Sequence, residues 1–144
     1  MTRKALIGTV AALVIGIASA PAMAGGIHIE QFGYGHSAGG NQSGFNNLIG
    51  MYQSGHWNNA ISHQYGGNNT AATGQEGSHH ASTTWQNGYG NAAGVGQFGT
   101  GHTSILTQDG NGNIAAGVQV GSGCSANVSQ NGSGNVAAFV QTCP

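Results

Sequence analysis

Charge is almost missing from this chain, with Asp, Glu, Lys and Arg making up 3% of its 144 residues. The only Lys and Arg are Arg3 and Lys4, which precede an apolar run, Ala5 to Ala18, and a small-residue site, Ala22-Met23-Ala24. That order reads as a secretory signal over residues 1–24. Its apolar run is too short to span a bilayer, and no second run follows. From Gly25 onward about 120 residues remain, one domain's worth, and their charges besides His are Glu30, Glu76 and Asp109. Without Lys or Arg the mature chain cannot neutralise phosphates, which excludes nucleic acid as a partner. Proline is confined to Pro21 and Pro144. Asp109 is the only Asp, Glu30 and Glu76 are far apart in sequence, and no nucleophile-elbow or Walker pattern occurs. No enzyme, no catalytic residue, no cofactor and no metal is therefore expected.

High polarity with so little charge would ordinarily mean disorder, because too little surface can be buried to offset chain entropy. A strict period argues against that. Gln stands at Gln31, Gln42, Gln53, Gln64, Gln75, Gln86, Gln97, Gln108, Gln119, Gln130 and Gln141, at every eleventh position and nowhere else. Two residues beyond every Gln but the last is a glycine: Gly33, Gly44, Gly55, Gly66, Gly77, Gly88, Gly99, Gly110, Gly121 and Gly132. Five residues beyond Gln, the units alternate. Asn47, Asn69, Asn91, Asn113 and Asn135 occupy every second unit; His36, Asn58, His80, His102 and Cys124 occupy the others. The full repeat is thus twice the Gln spacing and consists of two similar halves.

Gly-x-Gly-Asn, as in Gly88-Tyr89-Gly90-Asn91, tolerates positive φ and marks a tight turn, so the ten glycines are read as turn residues. The roughly seven residues left in each unit, ending just after the next Gln, are strand length. Along each strand, positions 5, 7, 9 and 11 after a Gln share one face. That face holds the fixed Asn and Gln with small or apolar residues such as Ala93 and Val95, Ser104 and Leu106, Ala126 and Val128, Ala137 and Phe139. It is the expected interior. The other face varies, carrying Tyr52, His63, Trp85, Thr107 and Ser129. The expected fold is an all-β, parallel, in-register β-solenoid of strand-turn-strand units, one full repeat per layer, amyloid-like in its cross-β stacking.

Layers about 4.8 Å apart place each residue over its equivalent in the next repeat, so the Gln residues form two columns and the five Asn a third. Burying an amide is costly unless it is bonded. Ladders in which each amide donates to the next and accepts from the previous remove that cost. The terminal layers leave unpaired strand edges, which soluble proteins blunt with Lys, Pro or a cap. This chain lacks those devices, a composition suited to adding copies of itself.

The alternating Gln-x-Gly-x-Gly-Asn unit resembles the repeat of curlin subunits, secreted bacterial proteins that polymerise into curli amyloid fibres. The likeness covers about residues 29 to 142. It implies a structural subunit of an extracellular fibre on the bacterial cell surface, serving adhesion and biofilm matrix. The implied partners are further copies of the chain, a nucleator or companion curlin subunit, and an outer-membrane secretion pore. On that reading residues 25–30 are a short amino-terminal segment and residues 31–144 the repeat solenoid. The segment is shorter than in most of the family, moderating Asp and Lys are nearly missing, and the cysteines are foreign to the repeat. The alternative is a capped, monomeric β-solenoid whose outer face binds ice or polysaccharide, although its outward positions form no regular array.

Two Cys in an exported chain suggest a disulfide. Stacking puts Cys143 over Gly121, across a turn from Cys124; an interchain bond and free thiols are the alternatives. His80, His102 and Cys124 share one column, but a straight ladder does not supply tetrahedral geometry. They are read as stacked filling, and protonation below about pH 6 is expected to loosen them. Tyr34, Tyr65, Tyr89, Phe32, Phe45, Phe98 and Trp57 gather near turns, where local packing is their expected role.

Overall fold

The computed structural model describes residues 25–144. The signal assigned to residues 1–24 lies outside the described residues. Eleven strands follow one another: β1 (Ile27–Tyr34), β2 (Ser37–Phe45), β3 (Leu48–His56), β4 (Asn59–Gly67), β5 (Thr70–Ser78), β6 (Ala81–Tyr89), β7 (Ala92–Thr100), β8 (Thr103–Asn111), β9 (Ile114–Ser122), β10 (Ser125–Ser133) and β11 (Val136–Cys143). Odd-numbered strands form one sheet of six, even-numbered strands a second of five. Every pairing is parallel and joins residues one full repeat apart, as in Gln53↔Gln75 and Ala71↔Ala93. The molecule is an all-β solenoid in which one full repeat makes one turn, as the period predicts.

Most strands are 9 residues long rather than the expected seven, because they run through Gln and three residues beyond it. Only two residues separate consecutive strands, Gly90-Asn91 for example. The ten glycines read as turn residues therefore lie inside the ladders, paired with one another as in Gly55↔Gly77, although their φ values of 105° to 127° do bend the strand ends. Stacking explains the residue type. A methyl group built on Gly55 would overlap the carbonyl oxygen of Gly77 in the next layer. The first strand starts at Ile27, so residues 27–30 pair with residues 49–52 as part of the solenoid.

The interior between the sheets is thin. Ile49, Met51, Ala60 and Ala71 form one apolar cluster, and Ala93, Val95, Leu106 and Ala115 another. Buried polar side chains outnumber them and include the Gln residues from Gln53 to Gln119 at 0% exposure, so hydrogen bonding has to carry what area does not.

Candidate functional site

Each Gln column is a continuous amide ladder. In the first sheet Gln31 Nε2 donates to Gln53 Oε1 at 2.7 Å, and the series repeats through Gln75, Gln97 and Gln119 to Gln141 at 2.7 to 2.9 Å. In the second, Gln42, Gln64, Gln86, Gln108 and Gln130 are joined at 2.7 to 3.0 Å. From Gln42 onward the second hydrogen of each amide crosses the interior to a carbonyl 16 residues earlier, Gln97 to Ala81 O at 3.1 Å and Gln108 to Ala92 O at 3.0 Å. Each Gln from Gln53 to Gln141 thus ties its own sheet together and also fastens it to the other.

The Asn column works differently from the amide ladder expected of it. Up to Asn113 its side chains bond to backbone, and only Asn135 donates to a neighbouring Asn, at 3.0 Å from Asn113 Oδ1. Asn91 Oδ1 accepts the backbone N–H of Asn113 at 3.0 Å; its Nδ2 donates to Asn87 O at 3.2 Å and to Gly110 O, 19 residues ahead, at 2.8 Å. Asn47 and Asn69 repeat the pattern. Asn sits at the bend, and its shorter side chain reaches the carbonyls that turn inward there before it reaches the next Asn.

On the opposite side His36, Asn58, His80, His102 and Cys124 take the equivalent place. The backbone N–H of His102 donates to His80 Nδ1 at 3.2 Å, and that of Cys124 to His102 Nδ1 at 3.0 Å. Nε2–H donates to a carbonyl four residues back, Glu76 O for His80 and Phe98 O for His102. The two rings stack with centroids 5.0 Å apart and 9° between planes. Both nitrogens of each ring are thus engaged with backbone, in the neutral tautomer protonated on Nε2. Burial pushes His80 below its ordinary value of 6.5, opposed by the Glu76 carbonyl bond.

Cys124 and Cys143 are disulfide-bonded, their Cα atoms 5.6 Å apart and their sequence separation 19. Nineteen is also the offset at which Asn91 reaches Gly110. The covalent link takes the place that a side-chain hydrogen bond holds in other layers. That offset emerges only once strand ends are known, so the repeat pattern points to Gly121 as the neighbour and not to the bond it replaces. Sequence reasoning also missed the carbonyl partners of Gln and Asn, and four buried hydroxyls without partners, Ser62, Ser82, Thr84 and Ser104, all on even-numbered strands. Most of the aromatics are exposed, Tyr65 being half-buried, and they pack in pairs across layers or bends, Phe32 on Tyr52 and Phe45 on Tyr89.

The sequence profile of the curlin associated repeat matches residues 46–77 and residues 81–110. This is a curlin-repeat protein. The matched curlin repeats contain Asn47, Asn69 and Asn91 and the central Gln ladders. The curlin family is structural rather than enzymatic. No curated protein and no solved structure matches the chain.

Among the described residues the curlin solenoid leaves an unpaired strand edge at each end of both sheets. Among the described residues β1 pairs only with β3 and β2 only with β4, while β11 pairs only with β9 and β10 only with β8. No Lys lies in these four strands, and the only Pro beside them is Pro144, after β11.

Proposed function

We propose that this chain is the structural subunit of an extracellular, curli-like amyloid fibre, polymerising by strand stacking at its ends and serving adhesion and biofilm matrix on a bacterial surface. The observation that carries the reading is the unpaired strand edge that the described residues leave at both ends of a uniform parallel stack. Such edges are templates for more strands. Export through an outer-membrane pore and cooperation with a nucleating or companion subunit follow from the curlin likeness. The fibre ladder would hold residues Gln31 to Gln141 and Asn47 to Asn135 in unbroken columns.

The experiment follows mature chain, residues 25–144, by thioflavin fluorescence, electron microscopy and fibre diffraction. A lag abolished by seeds, with reflections at about 4.7 Å and about 10 Å, supports the reading. A chain that stays a β-rich monomer for days at micromolar concentration overturns it.

A further inference from the structure

We propose that successive copies in the fibre are turned by half a revolution about the fibre axis, so that β1 of the incoming copy seats on β10 and its β2 on β11. This inference rests on the polymerising reading above. It goes beyond it by fixing which strands meet.

Strand parity supplies the first argument. The described residues form six strands in one sheet and five in the other, so β11 stands one strand beyond β10. The path of the chain, continued, would put a twelfth strand over β10. The first strand of a new copy reaches that place only if the copy is rotated by half a turn. Consecutive strands run in opposite directions, and the same half turn reverses β1, which then lies parallel to β10. Because the two halves of the repeat are equal in length, every column continues: Gln31 comes over Gln130 and Gln42 over Gln141.

Hydrogen-bond polarity supplies the second. Each ladder Gln donates toward the carboxyl-terminal end, as in Gln108 to Gln130 and Gln119 to Gln141. That end presents amide donors. The other end presents acceptors, and Gln42 Oε1 is buried there with no partner. Ends of like kind would face oxygen with oxygen or N–H with N–H, so copies join head to tail. His36 then lies over Asn135, with its backbone N–H facing Asn135 Oδ1, just as the N–H of His80 meets Asn58 Oδ1 at 3.1 Å within the chain.

Side-chain volume supplies the third. Ile27 and Ile29 face the interior of the first layer yet are 46% and 38% exposed, an uncovered piece of core. The half turn lays them over Ala126 and Val128, and lays Gly40 over Phe139. A ring against a glycine already occurs within the chain, where the ring of Phe139 occupies the space that a side chain on Gly117 would need. Without the half turn Ile29 would meet Phe139, and the place over β10 would stay vacant, stranding Gln130.

Helical reconstruction of fibres grown from residues 25–144 by electron cryomicroscopy tests this. The expected symmetry is a rotation close to 180° with a rise of about 26 Å per copy, eleven strands shared between two sheets. Fibres with no half turn and a rise of about 29 Å, six strand spacings, overturn this inference and leave the polymerising reading standing; absence of fibres overturns both. An independent check pairs Glu30→Cys chains with Ser129→Cys or with Val140→Cys chains in mixed fibres under oxidation. These positions face outward, so folding is not at stake. The half turn brings residues 30 and 129 to neighbouring-strand distance, within disulfide reach, and the Ser129→Cys mixture should cross-link roughly ten-fold more. Preferential linking to position 140 overturns the proposal.

Discussion

On one side of the solenoid the bend residue is Asn in five successive layers, from Asn47 to Asn135, whereas on the other it runs His36, Asn58, His80, His102, Cys124. Both sides perform the same task, since a side chain accepts the N–H of the next layer and donates to a carbonyl four residues back. They differ in surplus. Asn has a second amide hydrogen for the carbonyl 19 residues ahead, while His spends its one ring N–H on the nearer carbonyl. The site is thus defined by hydrogen-bond role and not by residue identity, and any planar group with one acceptor and one donor fits at reduced bonding.

The strongest way to break the comparison is steric. A methyl on Gly88, on the Asn side, would overlap Gly110 O, and one on Gly99, on the mixed side, would overlap Gly121 O. Both also hold φ above 110°. Gly88→Ala and Gly99→Ala should each cost more than about 3 kcal/mol, read as the urea midpoint of fresh chain before fibres form. Survival of either variant would show that the two bends are not built alike.

Next comes the surplus itself. Asn91→Ala strands three partners, Asn113 N–H, Asn87 O and Gly110 O. His102→Ala strands two, Cys124 N–H and Phe98 O. At about 1 kcal/mol for each group left buried, the Asn variant should lose about 3 kcal/mol and the His variant about 2 kcal/mol. Equal or reversed losses would remove the distinction.

Of the two columns of bend residues, only the mixed one contains an ionisable side chain buried in the stack. Because burial holds His80 below 6.5, the unfolded chain takes up the proton first as pH falls through that value. Stability is full above about pH 6.5 and declines below it until His80 itself protonates in the folded chain. His80→Asn should shrink the drop in urea midpoint between pH 7.5 and pH 5. An unaltered drop would assign the pH response elsewhere. The smallest expected effect concerns the residue just before the column. There Trp57 holds φ 56°, where Gly90 and Gly101 hold 66° and 68°. Trp57→Gly should gain about 1 kcal/mol by relieving that left-handed strain; a loss would mean that its contacts with Tyr34 outweigh it.

The architecture is readable because one spacing governs everything: a Gln at every eleventh position sets the strands, the faces and the register at once. Three features are not. Sequence reading ends the strands too early, because Gly88 looks like a turn residue and only stacking shows it to be a residue that must lack a side chain inside a ladder. It also makes the Asn column a copy of the Gln ladder, since period alone does not distinguish a side chain that reaches its neighbour from one that reaches backbone. The Cys124–Cys143 offset of 19 depends on how far a bend carries the chain forward, which no periodicity states.

That disulfide also bears on information. Slipping one strand by a full repeat against its neighbours returns Gln over Gln and Asn over Asn, so the uniform columns cannot distinguish one layer from another. A stack of near-identical rungs carries no address. The mixed column writes one, in the order His, Asn, His, His, Cys, and the bond between Cys124 and Cys143 locks its final character to a single place.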